Sequence, residues 1–486
     1  MDGFDPQVGP SEGQQLHQSQ TRVSRPEVFL VSVTSSKSPI LAPDMQTMVR
    51  QSSGTKKQTG QQKTAQPRGH TSDWFADTSL ELWPEGAISF ISLRPMHHTW
   101  TSSWGSVQSA PIRLTQTTLD TCHAGNFFGE ITHCCPPATY TKGPIVEFIP
   151  KRDHIGPHRV RKALQCLAGD ELRIYSEQLW RAYDLMKALP MDDPRSFYQQ
   201  NALHCAYGSG AFIQDGTANL TIDVHFNWYF SPWHRQFIYF HERILQSLLN
   251  DTTFSLHFWN FDNNVDGESH GKDGCYRKGY LFPELYSDPS KSTFHANRSE
   301  RPFMANLPMD LTVLNRSDIP LRFASVAVPR NRELMHRAMA VGNTSLDFHG
   351  VEFKHGDPQN LDINGGGSLE FLPHNSVHRW IGGSTALTTH APEDPIFYVF
   401  HSNLERLWDV WQKLGNGRTD PSTPDWLDAE FLFFDENAVV RSVKVRDSLS
   451  TEDFGYSYEK VFDESWIFYD NSTSTTPTSP ASPTNT

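Results

Sequence analysis

The sequence predicts a mainly α-helical protein with a β-rich C-terminal appendage and disordered termini. Three observations carry that expectation. Asp193-Pro194, Ser231-Pro232 and Asp394-Pro395 each place a helix-capping residue before a proline, the pairing that opens helices. The apolar residues Phe397, Leu404, Trp408 and Trp411 recur at helical spacing. After Pro421 the pattern changes to strand-like segments such as Ala438–Val445.

Taken in order, residues 1–72 are rich in Gln, Ser, Thr and Lys without an apolar period and read as disordered. The start, MDGFDPQVGPSEGQQ, lacks the basic and apolar regions of a signal peptide. Gln51 to His70 contains basic residues and no acidic one, a bias shared by organelle transit peptides and plain solvated tails. Residues 73–118 are aromatic but aperiodic, so 1–118 is left as a disordered or unplaced region. A first helix is expected from Pro194 to about Gly208 with His204 near its end, and a second from Pro232 to about Leu249 with His234 in its first turn. A short helix from Pro373 to about Ile381 puts His374 and His378 at i and i+4, on one face. The last helix runs from Pro395 toward Gly415 with His401 in its apolar stripe. The Ser/Thr/Pro stretch at 469–486, uncharged from Asn471 onward, reads as a tail.

Composition narrows function by exclusion. A net charge of −13 with no long basic run argues against nucleic acid as the main partner. No apolar run approaches the roughly 20 residues that span a bilayer. Aromatic residues make up 12% of the chain, enough for a large packed core. The 6 cysteines form no CxxC pair, which removes zinc ribbons and thioredoxin-like motifs. Sequons beginning at Asn219, Asn250, Asn297, Asn315, Asn343 and Asn471 tilt the reading toward an oxidising compartment.

The 22 histidines point to metal, because imidazole is the commonest metal ligand. Two triplets stand out: His204, His225 and His234, then His374, His378 and His401. A lone histidine on an apolar helix face is more often a hydrogen-bonded core residue, but the HxxxH pair behind a helix-starting proline strengthens the metal reading. The zinc-protease version needs Glu directly after the first His, and Asn375 stands there instead. Histidine-only donor sets suit copper, zinc, iron or nickel.

The triplets lie within NALHCAYGSGAF, DVHFNWYFSPWHRQFIYFHERIL, SLEFLPHNSVHRWIGG and EDPIFYVFHSNLERLW. These segments resemble the copper-A and copper-B motifs of the tyrosinase and plant polyphenol oxidase (catechol oxidase) family. CCPP at Cys134–Pro137, LHFWNFD at Leu256–Asp262, DWL at Asp425–Leu427, FFDEN at Phe433–Asn437 and the pair Tyr456 and Tyr458 are similar to plant sequences. The resemblance implies a four-helix bundle at 119–415 holding a type-3 centre of two copper ions, each taken by one triplet, followed by a DWL-type segment at 416–468. It implies O₂ as co-substrate and small phenols as partners, with o-diphenols, and monophenols as well, converted to o-quinones. Glu370 and Asn375 would hold a water that takes the proton from an incoming phenol, with helix capping as the bland role for Glu370. It also implies disulfides Cys122–Cys135 and Cys134–Cys205, each worth roughly 2–4 kcal/mol, with Cys166 and Cys275 left as buried thiols. Location is expected in a plastid (thylakoid lumen) or in the secretory or extracellular space. Rival readings are a haemocyanin-like O₂ carrier, an inactive copper-binding relative, and zinc at one triplet.

Several positions depart from the family pattern. Gly208 replaces a cysteine that often bridges to the second copper-A histidine, so that bridge to His225 cannot form. Phe400 replaces the first histidine of the copper-B HH pair, and Glu405 an aspartate. Thr385–Glu393 offers no aromatic gate over copper B. No shielding domain is recognised after Tyr458, so activity without proteolysis is expected.

Overall fold

The computed structural model describes residues 110–263, 279–304, 306–313, 321–360, 362–460 and 465–469. The expectations for 1–109, the C-terminal tail and Cys275 fall outside the described residues.

Four helices form the core: α1 (Gly169–Ala188), α2 (Phe197–Gly208), α3 (Phe230–Leu249) and α6 (Ile396–Lys413). Between α3 and α6 lie α4 (Ala324–His336) and the short α5 (Asn375–Ile381). α3 packs against both α1 and α6, and α1 also meets α2. α1 is one-sided: Tyr175, Leu179, Ala182, Tyr183 and Met186 are buried along one stripe. Asp170 and Glu171 in its first turn and Lys187 in its last complement the helix dipole. α2 and α3 are buried nearly all round, which marks them as central. α3 stops at Asn250, whose φ of 53° is the left-handed turn that ends a helix.

The expected helices are present, but the proline-based starts shift. Asp193 is not the cap of α2. Its carboxylate accepts the Arg195 N–H at 2.9 Å and pairs with the Arg195 guanidinium at 2.7 Å, making a turn ahead of the helix. Ser196 caps instead, accepting from the Gln199 N–H at 3.2 Å. Ser231 and Pro232 lie inside the first turn of α3, where a missing N–H leaves no helical bond unmade. Asp394 does serve α6, accepting from the Ile396 N–H at 3.1 Å, although the helix begins one residue after Pro395. α5 is bonded as a helix from Asn375, and the break in the helical path falls at Leu372 (φ −150°, ψ 120°), directly before the expected start at Pro373.

The strands are short. A hairpin pairs β1 (Gly125–Phe127) with β2 (Glu130–Thr132). β5 (Glu430–Phe434) runs antiparallel to β6 (Val440–Lys444), with β3 (Val146–Glu147) parallel on the other edge of β6. β4 (Arg159–Arg161) pairs in parallel with β7 (Tyr456–Tyr458). The end of the unplaced region is ordered after all. Ile112 and Leu114 are buried, and the Ile112 carbonyl accepts the Glu430 N–H at 2.9 Å. Aperiodic sequence hid this because the segment follows a sheet edge instead of forming an element of its own.

A buried charge cluster ties the bundle to the appendage. Arg161 on β4 reaches Glu242 of α3 at 3.1 Å and Glu405 of α6 at 2.8 Å. Glu405 also holds Arg235 of α3 at 3.1 Å and contacts the Tyr456 hydroxyl. The Arg161 guanidinium lies 3.8 Å over the Tyr456 ring, and Tyr458 accepts from it at 3.0 Å. The two tyrosines of β7 are therefore partners of a buried arginine.

Candidate metal centre

All six histidines of the two triplets are buried, and within each triplet the ligand-capable nitrogens lie within 4.8 Å of one another. His204 comes from α2, His234 from α3 and His401 from α6; His378 lies in α5 and His374 at its N-cap. His225 sits in the loop before α3. Asn227 stiffens that loop: its amide donates to the carbonyls of Asp223 and His225 at 3.0 and 2.8 Å, and its oxygen accepts the Tyr229 N–H at 2.9 Å. The two triplets abut, since the rings of His234 and His401 stack with centroids 4.5 Å apart.

The hydrogen bonds decide which nitrogens are free. His234 Nδ1 faces the Phe230 carbonyl at 2.7 Å, so it carries the proton and leaves Nε2 as a lone pair. His374 Nδ1 faces two oxygens, the Glu370 carbonyl at 3.3 Å and Asn375 Oδ1 at 3.1 Å, with the same consequence. In each triplet two Nε2 atoms face each other, His204 and His234 at 3.4 Å and His378 and His401 at 3.3 Å. Metal–imidazole bonds of about 2.0–2.1 Å at a tetrahedral angle set neighbouring nitrogens about 3.3–3.4 Å apart. A neutral pair at that separation either shares one proton or holds a cation between its two lone pairs. Burial, aided by the neighbouring imidazoles, holds His204, His234, His374 and His401 well below the usual histidine range, and burial pushes His378 down to about 3. Neutral imidazoles are the ligand form. The residues fit a pair of metal ions.

Glu370 does not cap the helix. Its Oε1 accepts the Phe226 N–H at 2.8 Å, holding the residue after His225 at a φ of 58° that a bulky side chain seldom adopts. Glu370 thus supports the copper-A loop while lying four residues before His374. Its Oε2 is buried without a hydrogen-bond partner among the described residues. Burial, with the charge of Asp223 adding to it, pushes this carboxyl well above the usual carboxylate range. Asn375 Nδ2 is likewise buried and unpartnered among the described residues, its Oδ1 being given to His374. Both residues line a cavity of ≈ 340 Å³ that reaches His204, His225, His374 and His378.

The positions that depart from the family pattern are packed closely around the site. A Cβ added to Gly208 would lie 2.8 Å from Thr388 Cγ2 and 3.1 Å from His225 Cε1, so the glycine lets α2 approach that ring. Phe400 is buried, edge-on to His378 at 4.9 Å and parallel to His374 at 5.8 Å. It fills volume behind the second triplet. Cys122 pairs with Cys135 and Cys134 with Cys205, next to His204. Cys166, expected to be buried, is half-exposed in a short turn. The loop 385–393 supplies Thr385, Ala386, Thr388 and Ala391 to the cavity; its aromatic residues are Phe127, Phe128 and Phe226 from elsewhere. Sequence reasoning missed these three and Arg379, which also lines it. Adjacency to a ligand was the available signal for Phe226 and Arg379.

Two adjoining all-histidine triplets in a helical bundle define a protein with a dinuclear metal centre. The common central domain of tyrosinase matches residues 194–414, and the polyphenol oxidase middle domain matches 420–473. A chloroplastic polyphenol oxidase of Malus domestica is 38% identical over 348 residues, covering 69% of this chain and 53% of the relative. The crystal structure of Grenache (Vitis vinifera) polyphenol oxidase superposes with a TM-score of 0.63 at 33% identity, covering 74% of this chain and 99% of that one. Latent apple tyrosinase gives 0.58 at 36% identity, covering 67% of each chain. The chain belongs to the tyrosinase-type plant polyphenol oxidase family. It spans about half the length of the curated relatives it matches.

Proposed function

We propose that the protein is a polyphenol oxidase, a copper enzyme that converts two o-diphenols and one O₂ to two o-quinones and two waters. On this reading it also converts a monophenol and one O₂ to an o-quinone and one water. The observation that carries this reading is the pair of facing triplets at the base of one cavity. His204, His225 and His234 would hold one copper and His374, His378 and His401 the other. When bound, the copper pair supplies the electron transfer to O₂.

The chain's own groups bind and orient the phenol. Phe226 and Ile363 give the cavity an apolar side against which the phenol ring can lie. Asn375 Nδ2 and Glu370 Oε2, a donor and an acceptor both left unpaired, are suited to hold a water or the phenolic O–H between them. Burial raises the proton affinity of Glu370, so once ionised its Oε2 would take the phenolic proton, which matters most for monophenols because a single hydroxyl is a poor chelator until deprotonated. An open cavity favours turnover over the carrier role. We assign residues 119–415 to the copper-binding domain and 416–468 to the appended segment. The chloroplastic relatives support a plastid address, and the two disulfides an oxidising one.

The test is aerobic assay of copper-loaded protein with a catechol and a monophenol, following O₂ uptake and quinone absorbance together. Uptake and quinone formation with both substrates are expected. Copper-replete protein that oxidises neither would overturn the proposal.

A further inference from the structure

We infer that the β1–β2 hairpin is a specificity element, in which Phe127 and Phe128 form an aromatic platform for the distal ring of two-ring phenols. The inference rests on the polyphenol oxidase reading for its substrate and adds where the remainder of that substrate lies.

The hairpin is anchored to the metal site. Cys122–Cys135 closes it, and the adjacent Cys134 is joined to Cys205, next to His204. The Asn126 N–H donates to the Ser209 carbonyl at 2.8 Å and the His123 N–H to the Ala211 carbonyl at 3.1 Å, so the hairpin docks on the C-terminal end of α2. Gly125 makes that approach possible, since a Cβ there would lie 1.9 Å from Ser209 Oγ. On its other strand Glu130 meets His390, which also binds Glu393 at 2.9 Å.

What this anchored turn presents is unusual. Phe128 adopts a φ of 48°, a left-handed conformation that turns normally give to Gly or Asn. It is 65% exposed and edge-on to Phe127 at 4.6 Å, and both rings line the cavity that reaches the histidines. The two-residue turn Phe128-Gly129 needs φ > 0 at both positions, so the hairpin geometry itself fixes where the Phe128 ring stands beside the cavity. Size agrees: a cavity of about 150 Å³ is enough for benzene, and this one is ≈ 340 Å³. One ring at the histidines leaves room for a second planar group, and an aromatic pair is its natural partner.

The test uses the full copper-loaded chain with catechol and with an o-diphenol bearing a second aromatic ring, plus calorimetric titration with a two-ring resorcinol, which lacks adjacent hydroxyls. The F127A/F128A variant should raise KM for the two-ring diphenol and Kd for the resorcinol about tenfold, the scale of losing one or two aromatic contacts. Its kcat and its KM for catechol should stay within about twofold. Phe128→Tyr should restore both values. Ile131→Ala, an exposed change on the same hairpin away from the cavity, should alter neither. Equal losses on both diphenols, or unchanged affinity for the two-ring compounds, would overturn the inference. Should the protein oxidise no phenol, the oxidase reading fails while the titration still decides the role of the hairpin.

Discussion

His204 and His234 stand on buried helices of 12 and 20 residues, whereas His374 and His378 stand at the start and middle of a helix of 7 residues entered through the extended Leu372. The first side is braced by a disulfide at Cys205 and by the close approach of Gly208 to His225. The second side carries the polar groups that open into the cavity, Glu370, Asn375 and Arg379. The difference is one of proportion: on the first side two histidines stand on long helices and His225 in a loop, on the second only His401 stands on a long helix, and the irregular entry to the other two brings side chains to the cavity. Glu370 spans the two, bonding to the loop of one triplet and lying one turn before the other.

The bond from Arg235 to Glu405 braces both sides, since Arg235 follows His234 on α3 and Glu405 lies one turn after His401 on α6. Glu405→Ala leaves two buried guanidinium groups without this partner and should destabilise the protein by about 3–5 kcal/mol in denaturant unfolding. Copper should be released from both triplets in a single transition. Loss from one triplet well before the other would show that the brace does not join them.

Acid should weaken the fold for a related reason. Burial holds His378 and His257 down to about 3 and His154 to about 4, against about 6.5 in the unfolded chain. The unfolded state therefore binds protons that the native state refuses. Stability is full above about pH 6.5 and is lost as pH falls toward the folded values. The Tm of metal-free protein should drop steadily from pH 7 to pH 5; a flat profile would mean these rings are not held neutral.

Much of this arrangement was legible in the sequence and some was not. The grouping of the six histidines into two triplets was legible because each sits in a local motif, and a motif survives without knowledge of the fold. The helix starts at Asp193 and Ser231 were misplaced because Asp-Pro and Ser-Pro also suit turns and first-turn positions, and only the bond to Arg195 decides between them. Phe127 and Phe128 carried no signal, being far from the triplets in sequence and brought to them by disulfides and backbone bonds. The partners of Glu405 likewise come from separate elements that no local pattern connects.

Two smaller effects sharpen the contrast between the sides. Asn375→Gly or Glu370→Gln should lower monophenol turnover at least about tenfold more than diphenol turnover, because proton removal limits only the former. Equal losses on both substrates would return the pair to a structural role. Gly208→Ala, whose methyl group would press on His225, should weaken copper binding about tenfold while leaving the ratio of the two activities unchanged. A changed ratio would mean that the first side also selects substrate.

The central claim is tested most directly by elemental analysis of copper in wild type, His234→Ala and His401→Ala, each purified folded and loaded with excess copper. Two coppers per chain are expected in the wild type, with a clear loss in each variant together with loss of diphenol oxidation. Two coppers retained with activity in either variant would contradict the assignment of the triplets as the metal centre.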